Sequence, residues 1–201
     1  GVSLKAKWRG DFTLDEEGTT ITSLEDKLEI TLKENGDEKI VTFEDHDGEV
    51  NREVVYDIVG DQTDNSADSI AQELLLRFLR ASGMKAQSRV AALLDEGGNE
   101  AVIKEMAFLG SDHSASDYIA ALSELSDLNA EELDAIGEML HDFESDHERL
   151  ETIKAVLENE EINTSKIQHL IEAADGVESD YELRKLVEAF SEQSLDEESM
   201  S

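Results

Sequence analysis

Apolar and polar residues alternate through much of the first sixty residues. The alternation is clearest at residues 2–8 and 28–32, where every second side chain is apolar. Such a period of two is typical of β-strands that bury one face. The dipeptides at 35–36 and 47–48, Asn-Gly and Asp-Gly, tolerate positive φ angles and favour tight hairpin turns. We therefore expect an antiparallel β-meander of about five or six strands over residues 1–60.

From residue 61 onward, apolar residues recur at intervals of three and four, which is typical of amphipathic helices. The first apolar stripe occupies residues 70–79 and stops at Gly83. Later stripes stop at Gly97-Gly98 and at Gly110, where a helix C-terminus favours glycine. Because an isolated sheet needs a cover for its apolar face, we expect these helices to supply one.

A Ser-Asp-aromatic tripeptide opens three of the later helical segments. It occurs at residues 116–118, 145–147 and 179–181, at intervals of 29 and 34 residues. A Ser at the N-cap accepts a hydrogen bond from a free amide, and the following Asp meets the positive helix end. A Glu three residues after the Ser completes a capping box. The residues predicted to cap helices in this way are Ser116, Ser145, Glu148, Ser179 and Glu182.

A two-helix unit that recurs at this interval predicts an α-solenoid, because each helical hairpin buries its apolar face against its neighbours. The expected fold class is therefore α+β: an N-terminal antiparallel β-meander followed by an α-helical hairpin repeat (solenoid-like) array. The predicted domains are the meander at 1–60, the α-helical repeat domain at 61–193 and an acidic tail at 194–201.

The chain carries a large excess of acidic residues. Its 50 Asp and Glu against 17 Lys and Arg give a net charge of -33, and no Lys or Arg lies between Lys104 and Arg149. Such a surface repels phosphate backbones and anionic lipids, so we expect no binding of nucleic acid. An acidic groove would instead favour a basic protein partner. A solvated surface is the plainest interpretation of the charge, with salt adaptation and nucleic-acid mimicry as alternatives.

Two features that the sequence lacks limit the chemistry of the chain and its relation to a membrane. The chain has no Cys, which excludes disulfides, thiol catalysis, iron–sulfur clusters and Cys-ligated zinc. No apolar run approaches the roughly 18–20 residues of a membrane span, so we expect no membrane insertion of this segment. The chain begins Gly1-Val2 rather than with Met, which leads us to expect that an upstream signal or anchor was removed.

No pattern of residues indicates a catalytic, cofactor or metal site. The densest candidate metal group comprises His141, Asp142, Asp146 and His147. Its two His straddle a helix break instead of lying at i, i+4 on one face, so we predict no metal. We interpret His46 as a turn residue, and the acidic run 61–68 as a helix-capping linker without the central Gly of a calcium loop. We predict no catalytic residue and no cofactor, and an enzyme using clustered carboxylates is the alternative.

The pentapeptide at residues 179–183, Ser-Asp-Tyr-Glu-Leu, resembles the SDYE-type helical repeats of bacterial envelope proteins of unknown function. These include the C-terminal regions of some β-lactam-sensor-like membrane peptidases and of adhesin-like proteins. Residues 88–103 are similar to the segment that precedes those repeats, and the resemblance covers about residues 10–193. His147 stands where Tyr is typical and Ile119 where Glu is usual, which indicates degenerate repeats.

This resemblance implies a fold and a periplasmic or otherwise extracytoplasmic location. It implies no protease activity, because the chain lacks the zinc motif of those peptidases. We therefore predict a noncatalytic protein-interaction or sensing module of the bacterial cell envelope. A deep pocket with several shifted carboxyl pKa values would favour the enzyme alternative, and charges spaced like phosphates on one face would favour the nucleic-acid mimic.

Overall fold

The computed structural model of the protein describes residues 1–57 and 66–159, together with Leu170, Ser179, Tyr181, Arg184, Lys185, Val187 and Glu188. The strands in these ranges are β1 (Val2–Arg9), β2 (Phe12–Leu14), β3 (Ile21–Leu24), β4 (Lys27–Glu34), β5 (Asp37–His46) and β6 (Glu49–Asp57). The helices in these ranges are α1 (Ala67–Ser82), α2 (Ala86–Met106), α3 (Asp112–Leu125), α4 (Ala130–His141) and α5 (Asp146–Asn159). An antiparallel sheet followed by helices confirms the α+β class.

The strands form two antiparallel sheets instead of one continuous meander. Strands β1, β4, β5 and β6 make a four-stranded sheet in that order, and β2 pairs only with β3. The two predicted hairpin turns are confirmed, because Asn35-Gly36 joins β4 to β5 and Asp47-Gly48 joins β5 to β6, all four residues with positive φ. After β1, the chain therefore leaves the four-stranded sheet, forms the β2–β3 hairpin and returns to the sheet as β4 beside β1.

Helix α1 covers the apolar face of the sheet. Its ends follow the predicted chemistry: the Ser66 hydroxyl accepts from the Ser69 amide at 3.2 Å, and Gly83, at φ 70°, donates to the Leu79 carbonyl at 3.0 Å. The core shared by strands and helix consists of Phe12, Ile21, Leu24, Leu28, Ile30, Leu32, Val41, Phe43, Ile70, Ala71, Leu74, Leu75, Phe78 and Leu79.

This shared core corrects the predicted domain boundary. The chain divides into compact units at 1–88 and 89–201, not at residue 60. The physical reason is that the sheet buries its apolar side chains against α1, so the first helix belongs to the sheet unit. The predicted acidic tail at 194–201 lies outside the described residues.

Helix α2 contains a break that turns it into a helical hairpin. Its backbone leaves helical geometry at Gly97 and at Gly98, whose φ of 66° and ψ of −163° lie in a region that only glycine adopts readily. Arg89 and Glu105 lie on opposite sides of the break, yet their side chains meet at 3.2 Å. A straight helix would separate them by about 24 Å. The predicted end at Gly97-Gly98 is confirmed, whereas the next helical stretch ends at Met106 and not at Gly110.

The second unit is built from helices throughout its described part. Its buried apolar side chains include Tyr118, Ile119, Leu122, Leu133, Ile136, Leu140, Leu150, Ile153, Val156 and Leu157. Each lies on the apolar stripe of α3, α4 or α5 that the spacing of three and four predicts. Within the described ranges, no helix is both long enough and apolar enough to cross a membrane.

Candidate functional site

The N-cap of helix α3 lies five residues before the predicted one. Its N-cap is Ser111, in extended conformation, whose hydroxyl accepts from the Ser114 amide at 3.2 Å. Ser116 therefore lies inside the helix, and its predicted capping role is wrong. The Ser116 hydroxyl accepts instead from Thr152 of α5 at 2.6 Å.

Helix α5 begins where the sequence predicts. The Ser145 hydroxyl accepts from the Glu148 amide at 3.2 Å, and the Ser145 carbonyl accepts from the Arg149 amide at 3.0 Å. The capping box predicted for Glu148 is wrong, because the Ser145 amide donates to Oδ2 of Asp112 at 2.9 Å, and the Glu148 carboxylate lies instead 3.7 Å from Nδ1 of His113 on α3. Glu182 lies outside the described residues, and so do the residues whose amides would test the cap predicted at Ser179.

The repeat has a more regular interval than the aromatic residues indicated. Ser111, Ser145 and Ser179 lie 34 residues apart, and each is followed by Asp. The repeated tripeptide Ser-Asp-His at 111–113 and 145–147 would have given this register from the sequence. Tyr118, which marked the first unit in the sequence pattern, is fully buried in the helical core.

Two Asp residues, Asp112 and Asp146, each bind the backbone amide of the Ser that lies 33 residues later. Oδ2 of Asp112 accepts from the amide of Ser145 at 2.9 Å, and Oδ2 of Asp146 accepts from the amide of Ser179 at 3.1 Å. Both bonds span 33 residues and join equivalent positions. Each also satisfies a backbone amide with a charged acceptor, which makes it stronger than a neutral hydrogen bond. The two Asp therefore form a ladder along one end of the helices.

Helices α3 and α5 lie side by side in the same direction. Thr152 of α5 donates to Ser116 of α3 at 2.6 Å, and Asn159 of α5 donates to Ser123 of α3 at 3.5 Å. Both contacts join residues 36 positions apart, so the pairing keeps its register over about two helical turns. Helices α3 and α5 thus pack in parallel.

A second group of hydrogen bonds joins α2 to the start of α4, just beyond the C-terminus of α3. The side-chain amide of Asn99 donates to the Glu132 carboxylate and to the Asp127 carbonyl, each at 3.0 Å. Glu132 also accepts from the Asn129 amide at 2.9 Å, which completes the capping box of α4. The first residue after the Gly97-Gly98 break is thereby tied to the start of α4.

Arg149 closes the C-terminus of α4 from within the core. Its side chain is 5% exposed and donates to the carbonyls of Leu140 at 2.8 Å and Phe143 at 2.6 Å. A third, longer bond at 3.3 Å goes to the His141 carbonyl, and Oδ1 of Asp146 lies 3.6 Å from Nη1. The guanidinium therefore adds a charged donor to carbonyls at this helix end and meets the negative end of the helix dipole.

A groove of about 880 Å³ opens beside these contacts. It lies between the C-terminus of α2, the first turn of α3 and the α4–α5 connection. Its lining includes the apolar Met106, Leu109, Met139 and Phe143, the acidic Asp112, Asp142 and Glu144, and the polar Ser111, His113 and Ser145. The arrangement combines apolar side chains at the base with an acidic rim, which suits it to binding.

The candidate metal residues are not brought together. His141 and Asp142 are both exposed and lie 3.8 Å apart, whereas Asp146 is engaged by Arg149 and Ser179. Within the described part of the chain, no three His, Asp or Glu side chains form a group that could hold a metal ion. His46 stands at the end of β5, 3.7 Å from Glu44. Residues 61–65 of the calcium-like run lie outside the described residues.

Asp117 sits in an unfavourable setting for a charge. Burial raises the pKa of its carboxyl, the His113 imidazole at 3.6 Å partly opposes that increase, and the Glu148 carboxylate adds to it. A raised folded-state pKa gives stability below the unfolded value of 3.8 that is lost as the pH rises through the folded value. We therefore expect Asp117→Asn to stabilise the protein at neutral pH, with the gain disappearing below pH 3.8 in urea unfolding curves.

Asp15 provides a control of opposite sign. Burial alone would raise the pKa of its carboxyl, but hydrogen bonds from the Thr19 and Thr20 amides, at 2.7 and 3.0 Å, lower it on balance. Its contribution to stability is present at neutral pH and lost on acidification through the folded pKa. Asp15→Asn should therefore destabilise at neutral pH. An equal and same-signed effect of both substitutions would contradict this assignment.

The Asp ladder predicts an asymmetry between two substitutions of Asp112. We expect Asp112→Ala to lower the free energy of unfolding by about 1–2 kcal/mol, because the Ser145 amide loses a charged acceptor. Asp112→Asn should cost less, since its amide oxygen still accepts. Urea denaturation followed by circular dichroism measures both. Glu124→Ala, an exposed change on α3, is the matched control, and an equal loss in Glu124→Ala would refute the ladder's contribution.

Comparisons with known proteins add no relative. No protein-family model matches the chain, and no curated protein or solved structure matches it significantly. The resemblance to envelope proteins with SDYE-type repeats therefore stays a prediction.

Proposed function

We propose that the second unit is a noncatalytic protein-interaction module, a short α-solenoid whose helical hairpins stack at an interval of 34 residues. Its partner is a basic protein, and its setting is the bacterial cell envelope. The observation that carries the proposal is the repeated hydrogen bond from Asp to the next cap Ser, at 112–145 and again at 146–179.

The stacking argument follows from this geometry. In a solenoid, each unit contacts mainly its neighbours, and equivalent helices of consecutive units run in parallel. The Asp ladder links equivalent positions, and the α3–α5 contacts at Ser116 and Ser123 keep a constant offset of 36 residues. Both features support a stacked array, and arrays of this kind offer extended surfaces to partners.

The charge of the same segment supports a basic partner. Residues 105–148 contain 13 Asp and Glu and no Lys or Arg. Arg149, the next cation along the chain, is buried against carbonyls of α4 and its neighbouring loop. Complementary charge accelerates encounter and selects against acidic competitors more than it adds affinity. The envelope setting is supported by the resemblance of residues 179–183 to repeats of envelope proteins.

Affinity capture tests the proposal. The purified chain is immobilised and exposed to a bacterial envelope extract at moderate salt, beside a folded acidic protein of matched net charge. The Arg149→Ala variant serves as a second control at a urea concentration at which circular dichroism shows its helical unit unfolded and the wild-type chain folded, because it then presents the same acidic residues without the folded surface. We expect a stoichiometric basic protein on the wild-type chain alone. Equal retention on all three baits would mean that charge, not the folded surface, selects the protein.

A further inference from the structure

We propose that the groove beside α3 and the α4–α5 connection binds a basic peptide segment of the partner, with an apolar side chain seated between Lys or Arg residues. The inference rests on the proposed function and names the place and chemistry of contact. Two independent properties of the groove carry it, its apolar floor and the sign of its rim.

The floor is apolar and concave. Met106 and Phe143 form its buried base at 4% and 6% exposure, and Leu109 and Met139 line it as half-buried side chains. A volume of about 880 Å³ lies within the range of sites that bind organic ligands. Methionine side chains adapt their shape to an inserted group, as in peptide-binding grooves of mixed specificity. The floor therefore suits one or two apolar side chains.

The rim is acidic. Asp142 is 91% exposed, and Glu144 is exposed beside it. Asp112 is half-buried, with one oxygen engaged by the Ser145 amide. Among the described residues that line the groove, none is Lys or Arg. A cationic segment therefore meets complementary charge on entering, whereas an acidic one is repelled.

One side chain among the described lining residues of the groove is an imidazole. His113 is 64% exposed, with Nε2 at 3.6 Å from Asp117 and Nδ1 at 3.7 Å from Glu148. Both neighbours are carboxylates, so the surroundings of this imidazole are acidic like the rest of the rim.

A second copy of the chain is the competing occupant. Strand β1 carries Lys5, Lys7 and Arg9, and the side chains of Lys7 and Arg9 are 86% and 85% exposed. However, each copy carries a net charge of -33, so long-range repulsion opposes self-association. A partner of opposite net charge fits the surface better.

Fluorescence anisotropy with three labelled synthetic peptides tests the inference on the full chain. The first peptide alternates Lys and Leu, the second alternates Lys and Ser, and the third alternates Glu and Leu. We expect the Lys-Leu peptide to bind most tightly, because it alone supplies both charge and apolar side chains. Equal binding of Lys-Leu and Lys-Ser would overturn the role of the floor, and tightest binding of Glu-Leu would overturn that of the rim.

Paired variants place the binding in the groove. Asp142→Asn with Glu144→Gln should weaken Lys-Leu binding about fivefold, through the loss of two rim charges. Glu124→Gln with Glu131→Gln removes the same charge from exposed positions that do not line the groove and should change binding less than about twofold. Equal weakening in both pairs would overturn the groove as the site.

The outcome separates this inference from the proposed function. If affinity capture retains a specific basic protein and that capture survives the Asp142→Asn, Glu144→Gln change, the interaction module stands and the groove is not its site. If the wild-type chain captures no specific basic protein, both the proposed function and the groove inference fail. Sedimentation of the unlabelled chain should show monomers. If the chain instead assembles with increasing concentration and the same double variant abolishes the assembly, the groove binds a second copy of the chain and the inference of a different protein as partner is overturned.

Discussion

Replacing Arg149 with Ala should lower the free energy of unfolding of the helical unit by about 3–5 kcal/mol, a large share of the stability of a small domain. The side chain is 5% exposed and donates to the carbonyls of Leu140, His141 and Phe143. Its removal takes the guanidinium donor from the buried Phe143 carbonyl and one of two donors from the Leu140 carbonyl, which keeps the Phe143 amide at 3.2 Å, and it opens a cavity in the core. Helical circular dichroism during urea unfolding measures the loss.

Lys104→Ala is the matched control for this change. It also removes one positive charge, but Lys104 is 71% exposed and pairs with Glu100 on the same helix. Surface pairs of this kind contribute little, so we expect a change within about 0.5 kcal/mol. If Lys104→Ala and Arg149→Ala cost the same, then Arg149 acts only through net charge and its carbonyl contacts contribute nothing.

Replacing Leu74 with Ala should destabilise the sheet unit by about 2–5 kcal/mol. Leu74 is fully buried in the core that α1 shares with the strands. Trp8, the single Trp of the chain, lies with its ring centroid 5.7 Å from that of Phe78 on α1, so its fluorescence reports whether α1 is docked. We expect the Trp8 unfolding transition to move to lower urea concentration.

The same helix supplies the control for Leu74. Gln72 lies two residues earlier and is exposed, so Gln72→Ala should change stability by less than about 0.5 kcal/mol. If Leu74→Ala leaves the Trp8 transition unchanged, then α1 is not part of the sheet core. That result would return the boundary between the units to residue 60.

Features governed by neighbouring residues could be predicted from the sequence. The turns at Asn35-Gly36 and Asp47-Gly48 and the stop at Gly83 depend on residues that accept positive φ, and the structure places all of them there. The pairing of β1 with β4 could not be predicted in the same way. It joins strands separated by the β2–β3 hairpin, and alternation alone does not specify the partner of a strand.

The candidate site was only partly visible in the sequence. The cap at Ser145 follows from local chemistry. The first cap is predicted at Ser116 because Tyr118 matches the aromatic position of the motif, although Tyr118 is a buried core residue. The role of Arg149 has no signature in a sequence pattern, because a buried Arg is recognised only by the carbonyls around it. The groove likewise forms from segments separated in sequence, around Met106 and Phe143.

Hydrogen–deuterium exchange of the full chain, with and without the Lys-Leu peptide, tests most directly whether the helical unit receives a basic partner. We expect added protection of backbone amides within residues 106–112 and 139–145, which line the groove. We expect none within the sheet at 2–57. Protection spread evenly over the acidic surface, or confined to the sheet unit, would contradict a basic-peptide site in the helical unit.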